Sequence, residues 1–157
     1  MKNSMLFMSA AMWVLTACSG GSQTENESAS EQPAEPEKTE MSAEVTQLME
    51  VGSTVYNQYC LACHQANGQG VPSAFPPLTQ TEWVMGDDTR LITTIISGLQ
   101  GEITVKGETY NSAMPAHGFL TDEQIAGVLT YVRHSFGNDS PAITTEAVTE
   151  VRESLTK

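Results

Sequence analysis

A chain of 157 residues is long enough for one domain of ordinary size, but not for two once its ends are set aside. Nineteen Asp and Glu against seven Lys and Arg give a formal charge of -12, which excludes nucleic acid as a natural partner, because a phosphate backbone is bound through clustered basic side chains.

Residues 1–17 hold Lys2 and then an apolar run from Met5 to Ala17. The run is shorter than the roughly 20 residues that cross a bilayer as a helix, so it reads as an export signal. Its end, Leu15-Thr16-Ala17-Cys18, resembles the lipobox of bacterial lipoproteins. That resemblance implies cleavage before Cys18 and a lipidated Cys18 as the new N-terminus. Ser19 in place of Asp slightly favours the outer membrane in that family. An ordinary signal with an incidental cysteine is the alternative. The lipid-anchored reading predicts a protein on the periplasmic side of a bacterial membrane, tethered through its N-terminal lipid without spanning the bilayer.

Residues 18–42 are rich in Ser, Gly, Thr, Pro and Glu and have no aromatic residue. Such a composition buries too little apolar surface to offset the entropy of ordering, and predicts a solvated acidic linker with an r.m.s. reach of roughly 25 Å. The folded domain is expected over 43–139, with a tail over 140–157.

Past Ser42, a candidate N-cap, Val45, Leu48, Met49, Gly52, Tyr56 and Tyr59 recur at helical spacing and lead into Cys60. Asp87 or Asp88 caps a second predicted helix, with Leu91, Ile92, Ile95, Ile96 and Leu99 on its buried side and Gly98 and Gly101 as stops. Ile103-Thr104-Val105 alternates only long enough for a short strand or extended loop. Thr121-Asp122-Glu123-Gln124 is a capping-box pattern opening a third helix, whose stripe is Ile125, Val128, Leu129, Val132 and Phe136. The tail predicts a short helix around residues 146–154, with Val148 and Val151 as its apolar side.

Cys60-Leu61-Ala62-Cys63-His64 is the C-x-x-C-H pattern of c-type haem attachment. Two thiols on one helical turn add to the two vinyl groups of a haem, and the adjacent imidazole is delivered to the iron. Export agrees with this, since the attachment chemistry occurs outside the cytoplasm. A zinc site built from Cys60, Cys63 and His64 with His117 or His134 lacks the usual paired spacing downstream. A thioredoxin-type dithiol lacks its strand-helix-strand context.

The second iron ligand must come from elsewhere in the chain. Met41 borders the linker and Met49 lies on the helix that already delivers the cysteines, which leaves Met85 and Met114. Met114 is best placed, because Pro115 restrains it to an extended backbone in a Gly-containing loop. His117 in its place would give a bis-histidine iron. His134 lies off the apolar stripe and reads as a surface residue. Pro76-Pro77-Leu78 is expected to line the haem pocket, with a proline carbonyl accepting the His64 ring N–H to fix the ring and raise its basicity; a plain surface turn is the alternative.

Gly52 and Tyr56 ahead of Cys60-Leu61-Ala62-Cys63-His64, then Phe75-Pro76-Pro77-Leu78, Met114-Pro115 and Tyr131-Val132-Arg133 together resemble the class I cytochromes c. The likeness runs from about Glu44 to Asn138. Together with the stretch from Gly101 to Pro115, it is similar to the monohaem domains found with quinoprotein dehydrogenases and copper nitrite reductases. The resemblance implies an all-α fold of three to five helices around one covalent haem c, with His64 and Met114 as axial ligands. It also implies helices crossing at Gly52 with Tyr56 against Tyr131.

With both axial positions filled, the chemistry left is one-electron exchange, which predicts an electron-transfer protein and not an enzyme. A membrane-tethered carrier between a periplasmic or membrane redox enzyme and a respiratory acceptor is the expectation. The alternatives are a haem subunit of a dehydrogenase or reductase complex, or a gas-binding sensor. The acidic domain predicts redox partner proteins with a basic docking face.

Overall fold

The computed structural model describes residues 41–157. The predicted export signal, Cys18 and the predicted linker up to residue 40 lie outside the described residues.

Ser42 caps α1 (Ala43–Val55), its Oγ accepting the Val45 N–H at 3.3 Å. The helix then widens into a single π turn, Tyr56–Cys60, and resumes as α2 (Leu61–His64). The Leu61 N–H bonds to the Tyr56 carbonyl, five residues back. One continuous rod therefore carries the core-facing residues of α1 into the cysteine motif, with a change of facing that no 3.6-residue pattern reveals. Gln65, at φ 65, ends it.

Asp87, not Asp88, caps α3 (Asp88–Ser97), accepting the Arg90 N–H at 2.7 Å. Leu91, Ile92 and Ile95 are its buried side. Gly98, at φ 74, stops it and has a second duty: a Cβ there would stand 2.6 Å from the Met114 carbonyl oxygen and 2.8 Å from the Ala116 nitrogen. The bare glycine lets the Met114 segment lie against the end of α3, where Leu99 and Met114 exchange two backbone hydrogen bonds of 2.9 Å.

Between them lies a β-hairpin, β1 (Ile103–Val105) and β2 (Glu108–Tyr110), with Ile103 opposite Tyr110 and Val105 opposite Glu108. The sequence predicts the first segment as a short strand or loop and does not reveal its partner. Both turn residues, Lys106 (φ 51) and Gly107 (φ 79), are left-handed, as a two-residue hairpin turn requires, but Lys-Gly lacks the Asn-Gly or Asp-Gly signature.

Helix α4 (Asp122–His134) opens with the expected capping box: Thr121 Oγ1 accepts the Gln124 N–H at 3.2 Å, and Gln124 Oε1 accepts the Thr121 N–H at 3.0 Å. Phe136 does not continue its stripe. The helix ends at Ser135, and Phe136, at φ 59, turns its ring towards Tyr56 (5.3 Å) and Tyr131 (5.9 Å). Helix α5 (Thr145–Leu155), capped by Thr144, buries Val148 and Val151. With Ile143, these tail residues belong to the same core as α1, α3 and α4. Arg152 fastens α5 by donating to the carbonyls of Gly118 and Leu120, both at 2.8 Å, and pairing with Asp122 at 2.6 Å.

Helices α1 and α4 cross where two glycines face each other. A Cβ on Gly52 would stand 2.0 Å from the Gly127 carbonyl oxygen and 2.7 Å from Tyr131 Cβ. Tyr56 packs on Tyr131 at 5.4 Å beside the crossing. Among the described residues this is a five-helix fold with one small hairpin, the kind of arrangement expected from the resemblance to class I cytochromes c.

Candidate functional site

A cleft partly open to solvent is lined by side chains from the π turn Tyr56–Cys60, α2, α3, α4 and the hairpin, while α1 and α5 contribute none. Leu91, Ile95, Val128, Leu129 and Val132 form apolar walls, and Ile103 and Val105 of the hairpin cover part of it. Among the sequence-predicted site residues, Cys60, His64, Pro76, Pro77, Leu78 and Met114 all line it. Cys63 does not; it is half-buried in α2, next to His64.

His64 Nδ1 lies 3.1 Å from the Pro76 carbonyl, so the ring donates there and leaves Nε2 with a free lone pair. Burial lowers the His64 pKa below its ordinary value, with the Pro76 bond acting the other way; burial favours the neutral ring, and the bond fixes its proton on Nδ1, the form that serves as a metal donor. The Cys60 thiol is pushed up to about 11 by burial and then by Cys63. Burial also drives the Tyr56 phenol upwards, and its hydroxyl donates to the Gln65 carbonyl at 2.7 Å, closing the turn after the motif.

The loop that brings Pro76 under His64 folds tightly on itself. Gly70, at φ 65, could not carry a Cβ, which would stand 2.3 Å from the Phe75 carbonyl oxygen. Leu78 N–H bonds to Gly68 O at 2.7 Å. Buried Asn138 then ties this loop to α4, donating to Leu78 O at 2.9 Å and Val132 O at 2.7 Å. Asn138 lies 60 residues from Leu78, and no local pattern marks it as a site residue.

The competing ligand candidates do not line the cleft. Met85 is 43% exposed, Met41 is exposed and Met49 lies half-buried on α1. His117 turns its ring into contact with Tyr59 and Phe119, at centroid distances of 6.0 and 5.9 Å. His134 is half-buried rather than exposed, with Nδ1 3.0 Å from the Thr130 carbonyl. Among the described residues no three His, Cys, Asp or Glu side chains gather as a metal cluster.

An apolar cleft lined by the Cys60 thiol, with Cys63 in the adjoining turn, one imidazole whose Nε2 is free and one thioether, offers side chains that fit an iron porphyrin attached through sulfur. That defines the class of protein: a c-type haem protein. Residues 49–136, more than half of the chain, match the family model for cytochrome c, and the chain belongs to this family. It is 44% identical over 91 residues to a cytochrome c-552 of Thermus thermophilus, a match covering 55% of this chain and 69% of that relative. A second cytochrome c-552 of the same species matches at the same identity, with 61% of its length covered. The cytochrome c subunit of alcohol dehydrogenase (quinone) from Gluconobacter oxydans is 32% identical over 93 residues, 57% of this chain but only 19% of that subunit.

The family carries covalently bound haem c, which supplies an iron centre able to gain or lose one electron. Electron transfer is the work of such domains.

Proposed function

We propose that this protein is a single-haem, one-electron carrier in which Cys60 and Cys63 hold the cofactor covalently and His64 and Met114 supply the axial ligands. What carries the reading is that His64, its Nδ1 engaged by Pro76, and Met114, pinned by Leu99, line one apolar cleft while the rival methionines and histidines do not. Two protein ligands leave no position for a substrate at the iron. The apolar walls exclude water, so the chain's contribution is to hold donors and environment fixed while charge changes.

On this reading the protein is exported and anchored through lipidated Cys18, and the acidic linker joins that anchor to the folded domain. Its partner is a redox enzyme or acceptor. Ten acidic side chains between Glu44 and Asp139 against Arg90, Lys106 and Arg133 favour a partner with a basic docking face. A specific feature favours a second reading of docking. Residues 51–81 and 109–121, which contain the cysteine motif and the Met114 loop, hold no Asp, Glu, Lys or Arg. They meet at the contact of Tyr59 with Phe119, which is 67% exposed. Acidic side chains would then guide approach while an uncharged face makes the contact.

Carbon monoxide tests the ligand set. Reduced holoprotein at neutral pH should give no rapid spectral change with the gas, whereas Met114→Ala should bind it and lose the weak red band of sulfur–iron ligation. Rapid binding by the unaltered protein would instead indicate an open iron and a gas-binding role.

A further inference from the structure

Arg133 heads the described residues in size among fully buried side chains, at 2% exposure. Its guanidinium donates from Nε to Val84 O at 3.0 Å, from one Nη to Pro141 O at 3.1 Å, and from the other to Gly86 O at 3.0 Å and Asp88 Oδ1 at 2.6 Å. Three of these four acceptors are neutral carbonyls. The fourth belongs to a side chain that is 55% exposed, so water screens the carboxylate far more than the guanidinium. Arginine does not lose its proton in proteins. A net positive charge therefore stays in a medium of low dielectric, where its field carries further than at the surface.

That charge lies directly behind the wall of the cleft. Val84, whose carbonyl takes the Nε bond, lines the cleft, and so does Val132, the preceding residue in the chain. Fastening the 84–88 loop to α4 does not by itself call for a charge, since apolar packing of similar volume holds such elements at least as well.

We propose that Arg133 is a positioning residue for the cofactor's redox equilibrium: its buried charge holds the reduction potential up. Reduction adds one electron from the partner protein and removes one unit of positive charge at the iron, with no bond made or broken. A fixed positive charge behind the wall favours the reduced side of that exchange. Asp88, paired with it, holds the effect partly in check. The inference rests on the single-haem carrier reading.

The experiment is an anaerobic spectroelectrochemical titration of the holoprotein, with Arg133→Met and Asp88→Asn alongside. Asp88→Asn removes the exposed counter-charge and keeps all three carbonyl acceptors, so its potential should rise. Arg133→Met should fall. Each shift should be about threefold or more in the one-electron equilibrium constant, about 28 mV at 59 mV per decade. A purely mechanical clamp predicts the opposite for Asp88→Asn, because losing one anchor loosens the wall, lets in water and lowers the potential. A fall or no change in Asp88→Asn overturns the proposal, even if Arg133→Met fails to fold. If the unaltered protein gave no reversible one-electron wave, the carrier reading itself would fail; a normal wave with unmoved variants overturns only the role of Arg133.

Discussion

Replacing Gly52 by alanine pits two effects against each other at the crossing of α1 and α4. Helix propensity alone predicts a gain of about 1 kcal/mol, since Gly52 lies inside a helix and Ala is the better helix former. The crossing predicts the opposite. The new Cβ would stand 2.0 Å from the Gly127 carbonyl oxygen, 2.4 Å from its carbon and 2.7 Å from Tyr131 Cβ, all atoms of rigid backbone or its first side-chain carbon. The helices must separate by about 1 Å or more, and overpacking of that kind costs about 3 kcal/mol, at the upper end of its usual range. The net loss of about 2 kcal/mol corresponds to a fall in melting temperature of roughly 8 °C for a domain of this size. Gly127→Ala is the control, because its Cβ would meet Leu48 O at 3.0 Å, the Gly52 nitrogen at 3.1 Å and Val51 Cγ1 at 3.2 Å. There the strain and the propensity nearly cancel. Thermal melting of both holoprotein variants, followed through haem absorbance, checks the ordering. A Gly52→Ala protein as stable as the parent, or less damaged than Gly127→Ala, would refute the close-crossing argument.

Asp122 accepts from the Thr149 hydroxyl and pairs with Arg152, both at 2.6 Å, and these hold its carboxyl below the usual carboxylate range. A depressed folded-state pKa stabilises above the unfolded pKa of about 3.9 and is lost as pH falls through the folded value, so Asp122→Asn should cost roughly 1–2 kcal/mol at pH 7 and progressively less in acid melts. A cost independent of pH would contradict this. Cys60→Ala with Cys63→Ala, made without haem, should lose the sharp cooperative melt, because on the proposed reading the cofactor fills the cleft between α3, α4 and the hairpin; an unchanged melt would show that the core does not need it. Phe119→Ala should slow electron exchange with the physiological partner at high salt, where steering is screened, and equal rates there would remove the uncharged face from the docking account.

The parts of the fold written in local chemistry were legible. Ser42, Thr121 and Gln124 announced two helix starts, and Cys60-Leu61-Ala62-Cys63-His64 announced the cofactor, because each acts within a few residues of itself. The π turn at Tyr56–Cys60 was not, since the residue types there suit an ordinary helix equally well. Phe136 fell on the predicted stripe only because periodicity does not register where Ser135 ends α4. In sequence Arg133 is one more charge in the domain; only the carbonyls of Val84, Gly86 and Pro141, brought in from distant loops, make it a buried one. Gly98 was legible as a helix stop but not as the clearance that lets the Met114 loop approach. Long-range partners of this kind leave no mark on sequence periodicity.

The central claim, a single haem held on both sides and trading one electron, is tested most directly by a potentiometric titration of the purified holoprotein, following the visible spectrum at equilibrium. All haem absorbance should move in one reversible wave with the slope of a one-electron couple, and the sulfur–iron band should appear and vanish with the oxidised form. Two waves, a slope other than one electron, or a band that persists unchanged through reduction would contradict it.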